Sequence, residues 1–175
     1  MPQFITSSDL VGIAPEIILT LTAICVLSLE MIKISKASIS LSIAVLGIVT
    51  AGTVIFQGIG HSGVLFGGML KINLFTTFFD LIYLAIGLIT LLFSPGYLEK
   101  KGGVYRGEYP ALIIFSVIGM MLMTRANDLL ILFLGLELLS LSLYVLVGFL
   151  QHNLLSNEAA LKYLLLGAFS TGFFL

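Results

Sequence analysis

The sequence predicts an all-α integral membrane protein built as a multi-span helix bundle, and three observations carry that expectation. Apolar residues make up 59% of the chain and charged residues 10%, against roughly 45–50% and about 25% in soluble domains. Mean hydropathy is +1.17. The apolar residues gather into runs of about 18 to 25, long enough to cross a hydrocarbon core roughly 30 Å thick, while charges, Gly and Pro collect between the runs.

Composition also narrows the function classes. A formal net charge of −1 leaves neither a polybasic membrane-surface patch nor a nucleic-acid footprint. Cys25 is the only cysteine, which excludes an internal disulfide, a protein-ligated iron–sulfur cluster and a cysteine-based zinc site; inside an apolar helix it reads as a small packing residue. The stretch Met1-Pro-Gln-Phe-Ile-Thr-Ser-Ser-Asp9 has no basic n-region, and lysines follow the first apolar run, so a cleaved signal peptide is not expected.

Five complete spans and the start of a sixth are expected. The first runs from about Leu10 to Met31 and the second from about Ser38 to Gln57, followed by a glycine-rich flexible loop, Gly58 to Lys71. The third runs from about Ile72 to Phe93 and is expected to stop at Ser94-Pro95-Gly96, where proline cannot continue the hydrogen-bond ladder. A polar loop, Tyr97 to Tyr109, leads to the fourth span, which opens at Pro110 and ends near Met123, shorter than the length rule prefers. The fifth runs from Asp128 to Phe149, and Ser156-Asn157-Glu158 opens the sixth with a capping residue and an acid at the positive dipole end. The chain ends at Gly172-Phe-Phe-Leu175 without a polar or charged anchor, as a piece of a longer bundle would.

Orientation follows from the basic residues. Lys33, Lys36, Lys100, Lys101 and Arg106 fall on one side, and only Lys71 and Arg125 on the other. The positive-inside rule places the N-terminus outside and the first five at the cytoplasmic face or its equivalent.

Several motifs have ordinary readings. Gly58-Ile-Gly-His-Ser-Gly63 matches a dinucleotide fingerprint, but it joins two spans and lacks the preceding strand and following helix of that site. Gly63 and Gly67 form a small-xxx-small pair in or beside a loop, a weak basis for helix packing. His61 and His152 are loop residues without a second ligand at metal spacing. Glu16, close behind Pro15, reads as a structural group near the interface. Asp80 lies about eight residues inside the third span, roughly 12 Å along the helix; it marks either a wet outer vestibule or a bond to Thr76 or Thr77 one turn earlier.

Glu137 is the principal candidate site. It is the only Asp, Glu, Lys, Arg or His between Leu129 and Phe149, and a charge at mid-helix costs about 2.5 to 3.5 kcal/mol even on lenient insertion scales. Helical spacing puts Ser140 and Tyr144 on its face, a polar stripe that packs against neighbouring helices or holds water. Lys162 lies on the sixth span with Glu158 four residues before it, the favourable order for an ion pair. If spans five and six are antiparallel neighbours, Glu137 and Lys162 differ in depth by on the order of 10 Å, too far for a direct bridge. Two readings stay open. Glu158, Lys162 and Glu137 form a staggered proton relay, or Lys162 snorkels to Glu158 while a helix–helix hydrogen bond holds Glu137 neutral.

The stretches Gly107-Glu-Tyr-Pro-Ala-Leu112, Gly119-Met120, Asn127-Asp-Leu-Leu130, Leu134-Gly-Leu-Glu-Leu-Leu-Ser-Leu-Ser-Leu-Tyr-Val-Leu-Val-Gly-Phe149, Ser156-Asn-Glu-Ala-Ala-Leu-Lys-Tyr163 and Leu166-Gly-Ala-Phe169 resemble the subunit N family of proton-pumping NADH:quinone oxidoreductase, respiratory complex I. That family is the counterpart of mitochondrial subunit 2 and part of the wider cation/proton antiporter-like group. The match runs from Gly107 to Phe169; before it only length and hydropathy agree, and Pro110 departs from the family's usual residue.

The resemblance implies an antiporter-like bundle of about fourteen spans with two inverted five-helix repeats, of which this chain would cover the first third to two fifths. Residues 1–106 would hold the first three helices and the first long cytoplasmic-side loop, and 107–175 the start of the proton-translocating repeat. Glu137 would match the family's channel glutamate and Lys162 a sixth-span lysine, both serving proton translocation with Glu158, Ser140, Tyr144 and Asp80 in support. The function implied is a membrane-arm subunit of the quinone reductase; NADH, FMN, iron–sulfur clusters and quinone would belong to other subunits, and no cofactor or metal to this chain. Neighbouring antiporter-like subunits, membrane lipids and protons would be its partners, in a bacterial plasma membrane or the mitochondrial or thylakoid equivalent. A Na+/H+ antiporter or membrane-bound hydrogenase subunit of the same group is one alternative. A structural or assembly subunit without transport is the other.

Overall fold

The computed structural model describes residues 7–32, 37–60 and 62–174. Their order is α1 (Ser7–Gly12), α2 (Ala14–Met31), α3 (Ala37–Gln57), β1 (Gly63–Leu65), a 3-10 turn (Phe66–Gly68), β2 (Leu70–Ile72), α4 (Leu74–Lys100), α5 (Glu108–Arg125), α6 (Leu129–Val147) and α7 (Leu154–Phe174). Helices α2 to α6 are long and apolar enough to cross a membrane. The 21-residue α7 is the expected sixth segment. Lys33, Lys36 and His61 lie outside the described residues.

The first span is split. Pro15 has no N–H for the Val11 carbonyl, and the chain turns at Ile13 (φ −98°, ψ 12°) between α1 and α2. The third span runs through Ser94-Pro95-Gly96 to Lys100 instead of stopping there. Pro95 cannot donate to the Leu91 carbonyl, but Ser94 Oγ does, at 2.9 Å. With that carbonyl satisfied, an apolar surrounding favours continued helix, since hydrocarbon offers an opened backbone no other partner. At its start, Asn73 accepts from the Thr76 N–H (2.9 Å) and Thr76 Oγ1 accepts from the Asn73 N–H (3.0 Å), a reciprocal cap.

The sixth helix begins at Leu154, two residues before the expected Ser156. Asn153 supplies the cap, accepting from the Leu155 N–H at 3.0 Å. Ser156 Oγ instead donates to the Val147 carbonyl at 2.6 Å and ties the start of α7 to the end of α6.

The glycine-rich segment forms a hairpin where a flexible loop was expected. β1 and β2 pair antiparallel with Leu65 opposite Leu70, and both leucines are buried. The turn needs Gly67 (φ 63°) and Gly68 (φ 109°) in the left-handed region. Gly63 and Gly67 therefore serve a strand and a turn, and no helix follows Gly63 to receive a dinucleotide. Asp9 Oδ1 accepts from the Phe66 N–H at 2.8 Å, and the Asn127 N–H donates to the Met69 carbonyl at 2.9 Å, fastening the hairpin over one end of the bundle.

Helix α5 is the centre. It packs on α2, α3, α4 and α6, and its buried residues lie on nearly every face, from Ala111 and Ile114 to Val117, Ile118 and Met121. The fourth span is longer than expected, 18 residues like α2, and it is the least apolar of the five because a helix surrounded by protein is not required to be as apolar as one facing lipid. Small residues set the close crossings. A Cβ on Gly119 would lie 2.7 Å from the Leu139 nitrogen and 2.8 Å from the Gly135 carbonyl oxygen, so α5 and α6 touch backbone to backbone. Gly47 of α3 likewise seats Thr22 of α2, and Gly87 of α4 seats Val117. Cys25 faces outward from α2 and takes no part in this packing.

Candidate functional site

On α6, Leu130, Leu134, Leu141 and Val145 form an exposed apolar stripe, and helical spacing sets Glu137 within it. Glu137 is half-buried, and its Oε1 is buried with no hydrogen-bond partner among the described residues. An unmet acceptor of this kind costs about 1–3 kcal/mol. Ser140, one turn on, is half-buried as well.

Tyr144 is buried beneath α7. Its ring meets Tyr163 edge-on at 4.8 Å, and Gly167 leaves the space its hydroxyl occupies, since a Cβ there would overlap the phenol. Gly148 faces Ala160. These contacts run α6 and α7 antiparallel and bring Thr171 level with Glu137. Lys162 lies nearer the connecting turn, on the order of 13 Å away along the helix axis.

Lys162 Nζ pairs with Glu158 Oε1 at 2.5 Å, and both side chains are exposed. The lysine leans toward its own helix start, as helical side chains do. The structure thus joins Lys162 to Glu158, leaves Glu137 and Ser140 one turn apart on α6, and packs Tyr144 against Tyr163 and Gly167 of α7.

Asp80 occupies neither of its expected environments. Its side chain is fully buried, which rules out a wet vestibule, and Thr76 and Thr77 both donate to the Asn73 carbonyl. It is Arg125, at the end of α5, that holds it: Nε and Nη2 donate to Asp80 Oδ2 at 2.9 and 2.7 Å. Arg125 Nη1 lies 2.6 Å from Glu16 Oε1 and donates to the Gly12 carbonyl at 3.0 Å. One guanidinium therefore clamps two buried carboxylates from α2 and α4 beneath the hairpin. Arg125, counted from sequence among the loop cations, is buried. No local spacing links residues this far apart in the chain. The available signal was that Glu16, Asp80 and Arg125 all fall near the same end of their spans.

Outside the spans, burial pushes the Tyr105 phenol up to about 12, so it packs in the α4–α5 connection as a neutral group.

A bundle of apolar helices with a carboxylate at the middle of one and a lysine–glutamate pair on the next belongs to the class of integral membrane proteins that carry ionisable groups within their spans. The family described as NADH:quinone oxidoreductase/Mrp antiporter, TM, matches residues 126–175. NADH-quinone oxidoreductase subunit N of Chloroflexus aggregans is 41% identical over 168 residues, 95% of this chain and 34% of that protein. The Trichlorobacter lovleyi subunit N is 40% identical over 174 residues, 99% of this chain and 36% of that one. A chain of respiratory complex I from Thermus thermophilus, solved with bound aureothin, shares the fold with a TM-score of 0.76 and 26% identity, over 91% of this chain and 34% of that one. Over nearly its whole length the chain is homologous to subunit N of the NADH-quinone oxidoreductases, and it spans about a third of the length of the relatives it matches.

Proposed function

We propose that this chain forms part of a proton-translocating half-channel in the membrane arm of NADH:quinone oxidoreductase, coupled to quinone reduction in other subunits. One observation carries the reading: Glu137, in a helix of Leu, Ile, Val and Phe, has a buried oxygen that no described residue satisfies. A carboxylate with an unmet acceptor inside an apolar helix is open to a hydrogen bond from entering water, which is what a relay group needs. Glu158 and Lys162 form a separate exposed pair toward the α6–α7 turn and would pass protons to Glu137 through water, with Ser140 and Tyr144 lining its helix. Asp80 would act at a distance, by fixing α4 to α5.

Residues 107–175 would begin the translocating repeat. NADH, FMN, iron–sulfur clusters and quinone would be held by partner subunits. Lys100, Lys101 and Arg106 share the end opposite the hairpin, which supports an outside N-terminus in a bacterial plasma membrane. The buried contacts of Arg125 with Glu16 and Asp80, which join α2, α4 and α5, favour the rival reading, a structural subunit whose charges only lock helices.

The deciding experiment is Glu137→Gln in the assembled complex, with NADH-driven proton pumping and quinone reduction both measured. Loss of pumping at normal assembly supports the relay. Normal pumping removes its principal residue, and failed assembly favours the structural reading. Sodium uptake at undiminished rate in the wild type would instead favour an antiporter of the same group.

A further inference from the structure

At the end of the bundle opposite the hairpin, the α4–α5 and α6–α7 connections enclose a crevice of about 550 Å³. Lys101, Arg106 and His152 line it, with Glu108 as the only carboxylate among the lining residues. None of the three basic side chains has an ion-pair partner among the described residues, so the crevice holds two fixed positive charges and a ring N–H donor against one acid. Its walls are set by the backbone. Gly102 adopts φ 71°, and Gly103 lies against the Leu150 side chain, so the two connections are packed together.

The crevice opens into a second, apolar groove of about 290 Å³, which shares Glu108, Phe149 and Gln151 with it. Leu27, Leu112, Phe115 and Val145 line this groove between α2, α5 and α6. Phe115 lies two turns into α5, so the groove descends on the order of 10 Å from the helix ends into the hydrocarbon layer. At the rim, Val104, Leu154 and Leu155 are exposed, at 65%, 84% and 75%. Apolar side chains beside unpaired cations, at the level where spans meet water, describe an interface with lipid.

We propose that this composite site binds one anionic phospholipid, its phosphate beside Lys101 and Arg106 and one acyl chain in the groove below. Charge selects the anionic headgroup, because unpaired basic side chains between membrane helices favour phosphate oxygens. The apolar continuation selects a lipid over free phosphate. Glu108, the one acid among the lining residues, repels a multiply charged anion more than a singly charged phosphodiester. The site is independent of the proton-transfer reading.

The test uses the assembled complex in nanodiscs of mixed phosphatidylglycerol and phosphatidylcholine, with lipid retained after detergent exchange counted by mass spectrometry. The wild type should retain phosphatidylglycerol several-fold over phosphatidylcholine. Lys101→Gln with Arg106→Gln should lose that preference at unchanged assembly. Val145→Trp, at an exposed wall of the groove, should lower retention without touching the charges. Equal retention in wild type and the double variant overturns the proposal. So does competition by inorganic phosphate that Val145→Trp leaves unaltered, which would mark a simple anion site. Crosslinks from residue 104 to a neighbouring subunit in place of lipid would show the crevice covered by protein and overturn it equally.

Discussion

Arg125 Nη2 lies 2.7 Å from Asp80 Oδ2, and both side chains are buried, so α4 and α5 are joined by a charged contact inside an otherwise apolar bundle. Glu16 adds a third charge from α2. A buried pair of this kind contributes little over a well-packed apolar replacement, yet removing one partner strands the others at a cost of about 3–5 kcal/mol. Arg125→Met alone should therefore lower the melting temperature and abundance of the complex sharply. The triple variant Glu16→Leu, Asp80→Leu, Arg125→Met should recover much of that loss. A triple variant no better than the single one would show that the cluster stabilises the fold by its charges.

Lys162 and Glu158 sit at the opposite extreme. Their pair is short but exposed, and exposed pairs are worth about 0–1 kcal/mol. Lys162→Ala should leave complex abundance close to wild type while changing turnover or pumping. Unchanged turnover would make the lysine an anchor.

Ser94 and Pro95 form a coupled pair in α4. With proline present, the Ser94 hydroxyl satisfies the Leu91 carbonyl, so Ser94→Ala should cost about 1–3 kcal/mol. In a Pro95→Ala background the restored backbone N–H takes that role, and the same substitution should cost less. Thermal unfolding of the four proteins in this cycle measures the coupling.

Two glycines should respond in opposite directions. A methyl at Gly119 meets the α6 backbone under 3.0 Å, and Gly119→Ala should destabilise by about 1–3 kcal/mol as α5 and α6 are forced apart. A methyl at Gly96 meets nothing within 4 Å, so Gly96→Ala should stabilise α4 by about 0.5–1 kcal/mol. Melting temperatures of the two variants decide it.

The spans and their order were legible in the sequence because hydrocarbon solvation imposes a length and an apolar character on each helix separately. Their ends were less so. Pro95 read as a stop because the serine that rescues its carbonyl gives no sign of that role. Asn153, not Ser156, caps α7 because the choice depends on which side chain reaches the free N–H groups. The hairpin was missed because its strands are three residues each, and what fixes them is Asp9 and Asn127, distant in the chain.

Of the candidate site, Glu137 and the Glu158–Lys162 pair could be read from the sequence, since a charge in an apolar run and an i,i+4 spacing are both local facts. The depth estimate that separated Glu137 from Lys162 needed only helical rise. The partnership of Arg125, Asp80 and Glu16 needed the fold. Each residue alone looked like an interfacial charge or an isolated intramembrane acid, and only the packing of α2, α4 and α5 brought one guanidinium within reach of both carboxylates. The sequence determined which segments enter the membrane and which of them carry charge, because transfer from water depends on each segment's own composition. Which charges meet was decided by tertiary structure, because Coulomb attraction and hydrogen bonding act over a few ångströms between helices that the chain order does not place side by side.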